Sequence, residues 1–185
     1  MRRFQIGFTI IELMVTLIVM AIIMAIVVPN FTGLINRNAS LAIGEEMITA
    51  FNFARTEAIK LRQPVSICPS DDDATGCGDD WSNGWIVYTD GATETADSTT
   101  VSSVLRVWND INSSAELAVS RGANAIDFVR FTGMGMLARV GGSTDSVSVT
   151  AQQKNCSGEA ARNITIGLAG IISSKGAQCS EPDND

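Results

Sequence analysis

The sequence predicts an α+β protein in which one long N-terminal helix packs on an antiparallel β domain. Apolar residues fill positions 8–28, and those in 29–62 recur every three or four positions, a spacing typical of one helix face. Over 63–185, short β-forming runs alternate with clusters of Gly, Asn, Asp and Ser, as they do in hairpins. No later segment has the length and period of a crossover helix, so we expect antiparallel strand pairing.

The composition excludes several classes of function. The chain has 13 Lys and Arg residues against 20 Asp and Glu residues, and this net charge of -7 argues against nucleic acid as the default partner, since phosphate binding needs clustered cations. It contains no His, which excludes Ser-His-Asp and Cys-His catalytic centres. No other arrangement of residues indicates catalysis. We therefore expect a protein that is not an enzyme and that carries no cofactor and no metal ion.

The N-terminus combines a short basic segment with a long apolar one. Residues 1–7 contain Arg2 and Arg3, and residues 8–28 form an apolar run of 21 residues, about the length of a helix that crosses a bilayer. The run is longer than the apolar core of a cleaved secretory signal, and no small-residue cleavage pattern follows it. Basic residues before such a helix keep its N-terminus in the cytoplasm. One interpretation is therefore a plain signal anchor.

Two features of this segment go beyond a plain anchor. Glu12 lies within the apolar run, where a carboxylate costs about 2.5–3.5 kcal/mol on insertion scales, so its presence indicates a function. Gly7 and Phe8 form a small-to-bulky junction between the basic segment and the apolar run.

Residues 7–31 read GFTIIELMVTLIVMAIIMAIVVPNF, which closely resembles the class III signal sequence of type IV pilins and type II secretion pseudopilins. The resemblance implies that a prepilin peptidase cuts after Gly7 and that the new N-terminal residue, Phe8, is N-methylated. Glu12 matches the fifth residue of mature family members, and in a filament it is expected to meet the Phe8 amine of a neighbouring subunit. Pro29 matches the helix-kinking proline that commonly follows the apolar run. Both residues are thus expected to be assembly determinants.

The segment after the apolar run is predicted to continue the helix with an amphipathic face. Pro29 removes a backbone donor and clashes with the preceding turn, so we expect a kink or break near residues 28–30. Pro64 ends the helix, with Arg62 in its last turn. The apolar stripe that should cover the sheet consists of Ile43, Met47, Phe51, Ala54, Ala58 and Leu61.

The rest of the chain is predicted as strands and polar loops. The candidate strands are residues 65–68, 85–88, 104–108, 126–131, 147–151, 164–168 and 171–174. Ala169 and Gly170 join the last two, which are predicted to form a terminal hairpin. The domain boundaries that follow are a leader over 1–7, a transmembrane and filament-core helix over 8–28, its amphipathic continuation over 29–62, and a periplasmic β-rich domain over 63–185.

The β domain resembles the GspH/FimT group of minor pilins and pseudopilins. The resemblance rests on SICPS at 66–70, WSNGWIV at 81–87, FTG at 131–133 and RNITI at 162–166. It implies the pilin-like version of the α+β fold and a subunit that primes or caps a type IV pilus, as FimU-like members do. The alternatives are a GspH-like minor pseudopilin of type II secretion and a FimT-like DNA receptor at the pilus tip.

The same resemblance implies the partners and the location. The expected partners are the prepilin peptidase, other minor and major pilins or pseudopilins, and the inner-membrane assembly platform. The expected location is the inner membrane, crossed once with the C-terminal domain in the periplasm, and then the tip of a pilus or pseudopilus. We do not expect DNA as a partner, because the closing hairpin reads GIIS at 170–173 where DNA-binding members carry a basic G-R-x-R stretch.

The four cysteines are predicted to form disulfides. Cys68, Cys77, Cys156 and Cys179 all follow the apolar run and would lie in the oxidising periplasm. Three pairings are possible, and we favour the two most local ones, Cys68 with Cys77 and Cys156 with Cys179. Each would contribute roughly 2–4 kcal/mol to stability. The rival interpretation, a four-cysteine metal site, lacks any C-x-x-C spacing.

Two further groups of residues suggest binding only weakly. Asp71, Asp72, Asp73, Asp79 and Asp80 form an acidic cluster that matches no EF-hand pattern, so a solvated loop is favoured over a calcium site. Of the tryptophans, Trp85 is predicted to be in the core. Trp81, in a loop, is the better candidate for a partner interface.

Overall fold

The computed structural model describes residues 8–109, 111 and 114–180 of the 185-residue chain, without the side chains of residues 26–32. The chain divides into two compact units, residues 1–35 and residues 36–185. In the described part it has one α-helix and nine strands. They are α1 (Ile10–Leu61), β1 (Val65–Pro69), β2 (Trp85–Asp90), β3 (Val101–Trp108), β4 (Ala115–Arg121), β5 (Asn124–Ala125), β6 (Val129–Phe131), β7 (Val147–Gln153), β8 (Ala161–Ile166) and β9 (Ile172–Ala177).

The N-terminal unit contains the first half of α1. The helix assignment continues through position 29 to Leu61, so the break expected near residues 28–30 does not occur. The predicted kink concerns Pro29, whose side chain lies outside the described residues, and it stays a prediction.

In the described part of the chain, no helix is both long enough and apolar enough to cross a membrane.

The second unit contains two antiparallel sheets. One has the strand order β3-β2-β1-β6 and the other the order β5-β4-β7-β8-β9. The apolar stripe on α1 contributes Met47, Phe51, Ala54 and Ala58 to one core with residues from both sheets, whereas Ile43 packs in a smaller cluster with Ala115 and Ala151. Five of its six predicted members are buried, and Leu61 is 40% exposed at the helix end. Arg62 then adopts a left-handed φ of 55°, which turns the chain into β1.

The four-stranded sheet is buried on both faces at its centre. Every residue of β1 and β2 is buried, a pattern expected of strands covered on both sides. Trp85 and Val87 face the helix core, whereas Ile86 and Tyr88 belong to a second apolar cluster with Cys68. We call the face of the four-stranded sheet that carries Cys68, Ile86 and Tyr88 its outer face.

Each predicted strand overlaps a strand of the structure, but β4 and β5 were not predicted, and several boundaries differ by up to three residues. The terminal hairpin forms as β8 and β9, paired from Ile166–Ile172 to Ala161–Ala177. Strand β4 lies in a segment that we did not predict as a strand, and it pairs along its whole length with β7. The candidate strand over 126–131 is wrong in its first half, because β6 begins only at Val129.

Candidate assembly site

The start of α1 is capped by a threonine. The Thr9 Oγ1 accepts a hydrogen bond of 3.3 Å from the Glu12 backbone N–H, and the Thr9 carbonyl accepts one of 3.2 Å from the Leu13 N–H. Thr is among the residues that best satisfy the free N–H groups at a helix start. Thr9 therefore fixes where the first helical turn begins and places Glu12 within it.

Glu12 lies in the first turn of α1. A negative charge at this position is favourable, because the N-terminal end of a helix carries partial positive charge. Glu12 is exposed, and within the described residues its carboxylate forms no hydrogen bond and no ion pair. Phe8, which precedes it by four positions, is 80% exposed. Of the four residues predicted for processing and assembly, Gly7, Phe8, Glu12 and Pro29, these two are the ones whose side chains the structure describes.

Residues 10–24 of α1 present an extensive exposed apolar surface. Its large apolar side chains are each at least 48% exposed. They are Ile10, Ile11, Leu13, Met14, Val15, Leu17, Ile18, Val19, Met20, Ile22, Ile23 and Met24. Apolar surface of this extent marks a segment that contacts a membrane or other proteins. Gly7, the predicted cleavage position, lies outside the described residues.

A buried ion pair on the outer face of the four-stranded sheet has no counterpart in the sequence prediction. The Arg130 Nη2 and Nε lie 2.8 and 2.9 Å from the Asp90 Oδ2, and both side chains are fully buried. Ser66 also donates to this oxygen, at 2.6 Å. The remaining Arg130 donors bond the backbone carbonyls of Thr93, Glu94, Ala96 and Ser98. The pair thus holds the 91–100 loop onto the sheet.

The surroundings of this pair shift two pKa values. Burial alone would raise the pKa of Asp90, but hydrogen bonds outweigh it and hold that pKa below its usual value. The donors are the Ser66 hydroxyl, the Thr100 and Ala92 N–H groups, and Arg130. Burial also raises the pKa of Tyr88 to about 12, although a hydrogen bond with Thr99 opposes the rise. The outer face therefore favours a charged Asp90 and a neutral Tyr88.

Comparison with known proteins shows the family to which this chain belongs. The family model described as Type II transport protein GspH matches residues 44–170, and the prokaryotic N-terminal methylation motif matches residues 2–28. The chain belongs to the GspH family. This family and fold are those of structural proteins, not enzymes. The N-terminal motif and the family imply that the protein is anchored in the inner membrane with its β domain in the periplasm.

Two solved structures of the type IV minor pilin FimU from Pseudomonas aeruginosa strain PAO1 are similar to this GspH-family chain. The first, in space group P21, is 21% identical with a TM-score of 0.59, and the match covers 78% of this chain and 96% of that one. The second, in space group P65, is 20% identical with a TM-score of 0.54, covering 76% and 98%. This likeness confirms the pilin-like fold. No curated protein matches the sequence.

The disulfides of this GspH-family protein follow the local pairing. Cys68 is joined to Cys77, and Cys156 is joined to Cys179. The first closes the acidic loop onto β1, where Cys68 is completely buried. The second holds Cys179, two residues after the end of β9, at the turn that follows β7.

The acidic loop and Trp81 have local structural roles. The Asp71 Oδ1 accepts the Thr75 N–H at 2.8 Å, and the Asp80 Oδ1 accepts the Ser82 N–H at 2.8 Å. Among the described residues, no group of three or more acidic or cysteine side chains is placed to hold a metal ion. Trp81, named above as the better candidate for a partner interface, is buried and does not fit that role. Its side chain is only 6% exposed, and its Nε1 donates to the Ile126 carbonyl at 3.2 Å.

Proposed function

We propose that this GspH-family protein is a minor pilin that is inserted in the inner membrane, cleaved after Gly7 and N-methylated at Phe8. It then primes or caps a type IV pilus. The observation that carries this proposal is the Glu12 carboxylate, which has no partner among the described residues and lies in the capped first turn of a helix whose large apolar side chains over 10–24 are exposed. Pro29 would act in the same assembly by adapting the helix to its neighbours.

Charge pairing links the proposed cleavage after Gly7 to the role of Glu12, because cleavage creates the amine with which the carboxylate would pair. Removal of residues 1–7 leaves a cationic amine on Phe8, four positions and about 6 Å of helical rise from Glu12. When the apolar helices of several subunits pack together, an unpaired carboxylate among them is costly to bury. The amine of a neighbouring Phe8 supplies the opposite charge. Such a buried pair adds little stability by itself, but it serves to fix register between helices.

The partners follow from this assembly. Before cleavage the chain meets the prepilin peptidase, and afterwards it meets the assembly platform and other minor and major pilins. Because exposed apolar side chains recur all along residues 10–24 of α1, several neighbouring helices are needed to bury them. The compact β domain would remain on the outside of the filament.

Mass spectrometry of sheared surface filaments and of the membrane fraction tests the proposal. The expected result is a peptide that begins at methylated Phe8 in the sheared fraction. A Gly7→Val variant should remain as uncut precursor in the membrane. A chain that keeps residues 1–7 in both fractions, or a variant that is cut normally, would overturn the proposal.

A second candidate function is a minor pseudopilin of type II secretion. The family model that matches residues 44–170 carries the description of a type II transport protein, and this favours the candidate. Deletion of the gene separates the two functions. Loss of surface pili with normal secretion supports the pilin, whereas loss of a secreted protein with normal pili supports the pseudopilin.

Reception of DNA is less well supported. Ile171, 63% exposed, occupies the closing turn where the DNA-binding members carry arginine. Arg162 is 3.5 Å from Glu45, so part of its charge is already compensated. A gel shift with the full chain would test this alternative, and we expect no salt-sensitive binding of duplex DNA.

A further inference from the structure

A cavity beside β5 and the end of β4, in the five-stranded sheet, has a buried guanidinium in its wall. Its volume is about 300 Å³, and Arg121, the last residue of β4, lines it. Arg121 lies two positions from the buried Val119 and so shares the inward face of the strand. The whole residue is only 8% exposed. This site is separate from α1 and from the assembly role proposed above.

The Arg121 guanidinium is not satisfied by the protein. Its Nε and Nη1 are buried and have no hydrogen-bond partner among the described residues. Asp145 is close enough to favour the charged form, yet burial still lowers the pKa of Arg121. A buried charged donor without acceptors costs free energy, and native structures rarely leave such groups unpaired without a reason. Arg121 lines the cavity, so a small rotation of its side chain would bring these nitrogens to a ligand with oxygen acceptors, which would supply what the guanidinium lacks.

The rim of the cavity carries exposed negative charge, in contrast to the buried positive charge in its wall. Asp97, Asp127 and Asp145 line it and are exposed, and in the described part of the chain none of them is in an ion pair. These carboxylates can only accept hydrogen bonds when ionised. They repel an anion, while the buried Arg121 repels a cation. The electrostatics thus favour a neutral ligand that offers both acceptors and donors.

The remaining wall adds apolar contact and adaptable polar groups. Phe128, Ile126 and Val140 line one part of the cavity, and Asn124 and Ser143 contribute an amide and a hydroxyl. Aromatic and aliphatic walls with a few polar groups are typical of small-ligand sites, whose volumes begin at about 300 Å³. A sugar ring fits this wall, because its C–H face is apolar and each hydroxyl both donates and accepts.

The cavity is held in shape before any ligand arrives. Arg130 donates to the carbonyls on either side of Asp97, those of Ala96 at 2.8 Å and Ser98 at 2.7 Å. The Arg130 guanidinium also lies 4.8 Å from the centroid of the Phe128 ring. On the other side, the Gly141 N–H donates to the Thr95 carbonyl at 3.0 Å. A preformed site avoids the entropy cost of ordering loops on binding.

We propose that this cavity binds a neutral carbohydrate of one or two sugar rings, with Arg121 donating to ring or hydroxyl oxygens and the rim carboxylates accepting hydroxyl protons. On a filament, such a site would contact surface glycans. Charged small molecules are the competing ligands, and the experiment includes them.

The test is ligand-observed NMR and calorimetry on the full chain in a detergent without a sugar headgroup, such as dodecylphosphocholine. The probes are the methyl glycosides of glucose, galactose, mannose and N-acetylglucosamine, each up to about 10 mM, with acetate and lysine as charged comparators. We expect saturable binding of at least one glycoside. Arg121→Met and Asp145→Asn should each weaken it about tenfold. The matched controls, Arg37→Met and Asp72→Asn, change exposed residues elsewhere and should leave binding unchanged.

Three results would overturn the proposal. The first is that no glycoside binds at these concentrations. The second is that glycosides bind equally well to the wild type and to Asp145→Asn and Arg121→Met, whose folding is verified by thermal unfolding. The third is that acetate or lysine binds more tightly than every glycoside, which would assign the cavity to a charged ligand.

Discussion

Asp90 and Arg130 form a salt bridge of 2.8 Å in which neither side chain is exposed to solvent. The two residues are separated by 40 positions; Asp90 ends β2 and Arg130 is the middle residue of β6, and these strands lie on either side of β1. Asp90 Oδ1 in addition accepts the N–H groups of Ala92 and Thr100, so the carboxylate closes both ends of the 91–100 loop. This one pair connects the sheet, the loop and the wall of the cavity lined by Arg121.

Replacement of Asp90 by Asn should strongly destabilise the fold. The variant leaves the Arg130 charge buried without its counter-ion, and breaking one side of a buried pair costs about 3–5 kcal/mol. Chemical denaturation of the two proteins measures the difference in the free energy of unfolding. The control is Asp72→Asn, an exposed residue of the acidic loop, which should change that free energy by less than about 0.5 kcal/mol. A loss below about 1 kcal/mol in Asp90→Asn would contradict the assigned role of the pair.

Asp90 should also make stability depend on acid pH. Its pKa is lower in the folded state than in the unfolded state, so the ionised carboxylate stabilises the fold above the unfolded pKa of about 3.9. That stabilisation is lost as the pH falls below about 4 and through the folded pKa. The measurement is the free energy of unfolding from pH 6 to pH 2, compared between wild type and Asp90→Asn. The wild type should lose more stability in this window than the variant, and parallel curves would show that Asp90 does not carry this dependence.

Tyr88 should titrate well above an ordinary tyrosine. It is the only tyrosine in the sequence, so ultraviolet titration of the phenolate reports this one side chain. Burial raises its pKa to about 12, against an ordinary value of 10.0. The neutral phenol therefore stabilises the fold fully below pH 10, and this contribution is lost as the pH rises towards 12. In denaturant the same residue should titrate near 10, whereas a native titration near 10 would contradict its burial.

The first element of the fold could be predicted because its signals are local. The period of Ile43, Met47 and Phe51 is visible in a few turns of sequence, and Pro64 marks the end of α1 three positions after its last residue. The same holds for the β8–β9 hairpin, whose turn contains Gly170 at a φ of 72°. Both local disulfides also follow from short separations, 9 and 23 positions.

The features that sequence analysis missed depend on distant contacts. Strand β4 begins Ala-Glu-Leu-Ala, residues with no preference for strands, and it forms because β7 provides a full ladder of partners. Asp90 follows the run of β2, and Arg130 lies within the apolar run at 128–131. The sequence around either residue does not show that their side chains form an ion pair. Trp81 was misjudged because its burial depends on Ile126, 45 positions later. The unpaired Arg121 has the same origin, since a charged residue ending a strand is ordinarily exposed.

Loss of the Cys156–Cys179 disulfide should destabilise the protein by about 3 kcal/mol. The chain-entropy model gives this magnitude for a loop of this length, since removing the bond restores freedom to the unfolded chain. The double variant Cys156→Ala with Cys179→Ala avoids leaving a free thiol. Chemical denaturation under non-reducing conditions compares it with the wild type. The control is wild type under reduction, which should lose at least as much because both disulfides open. A double variant as stable as the oxidised wild type would contradict the prediction.

Glu12→Gln should block entry into filaments without preventing cleavage. The variant keeps the shape of the side chain and the Thr9 cap, whose bond is made by the Glu12 backbone N–H, but it removes the charge that would pair with a neighbouring Phe8 amine. Hydrogen bonds to charged groups contribute about 1.5–3 kcal/mol, so the share of the protein in sheared filaments should fall about tenfold or more. Quantitative mass spectrometry of the filament and membrane fractions measures that share, with Glu46→Gln, an exposed residue on the same helix, as the matched control. If Glu12→Gln enters filaments as well as Glu46→Gln does, Glu12 does not act through its charge.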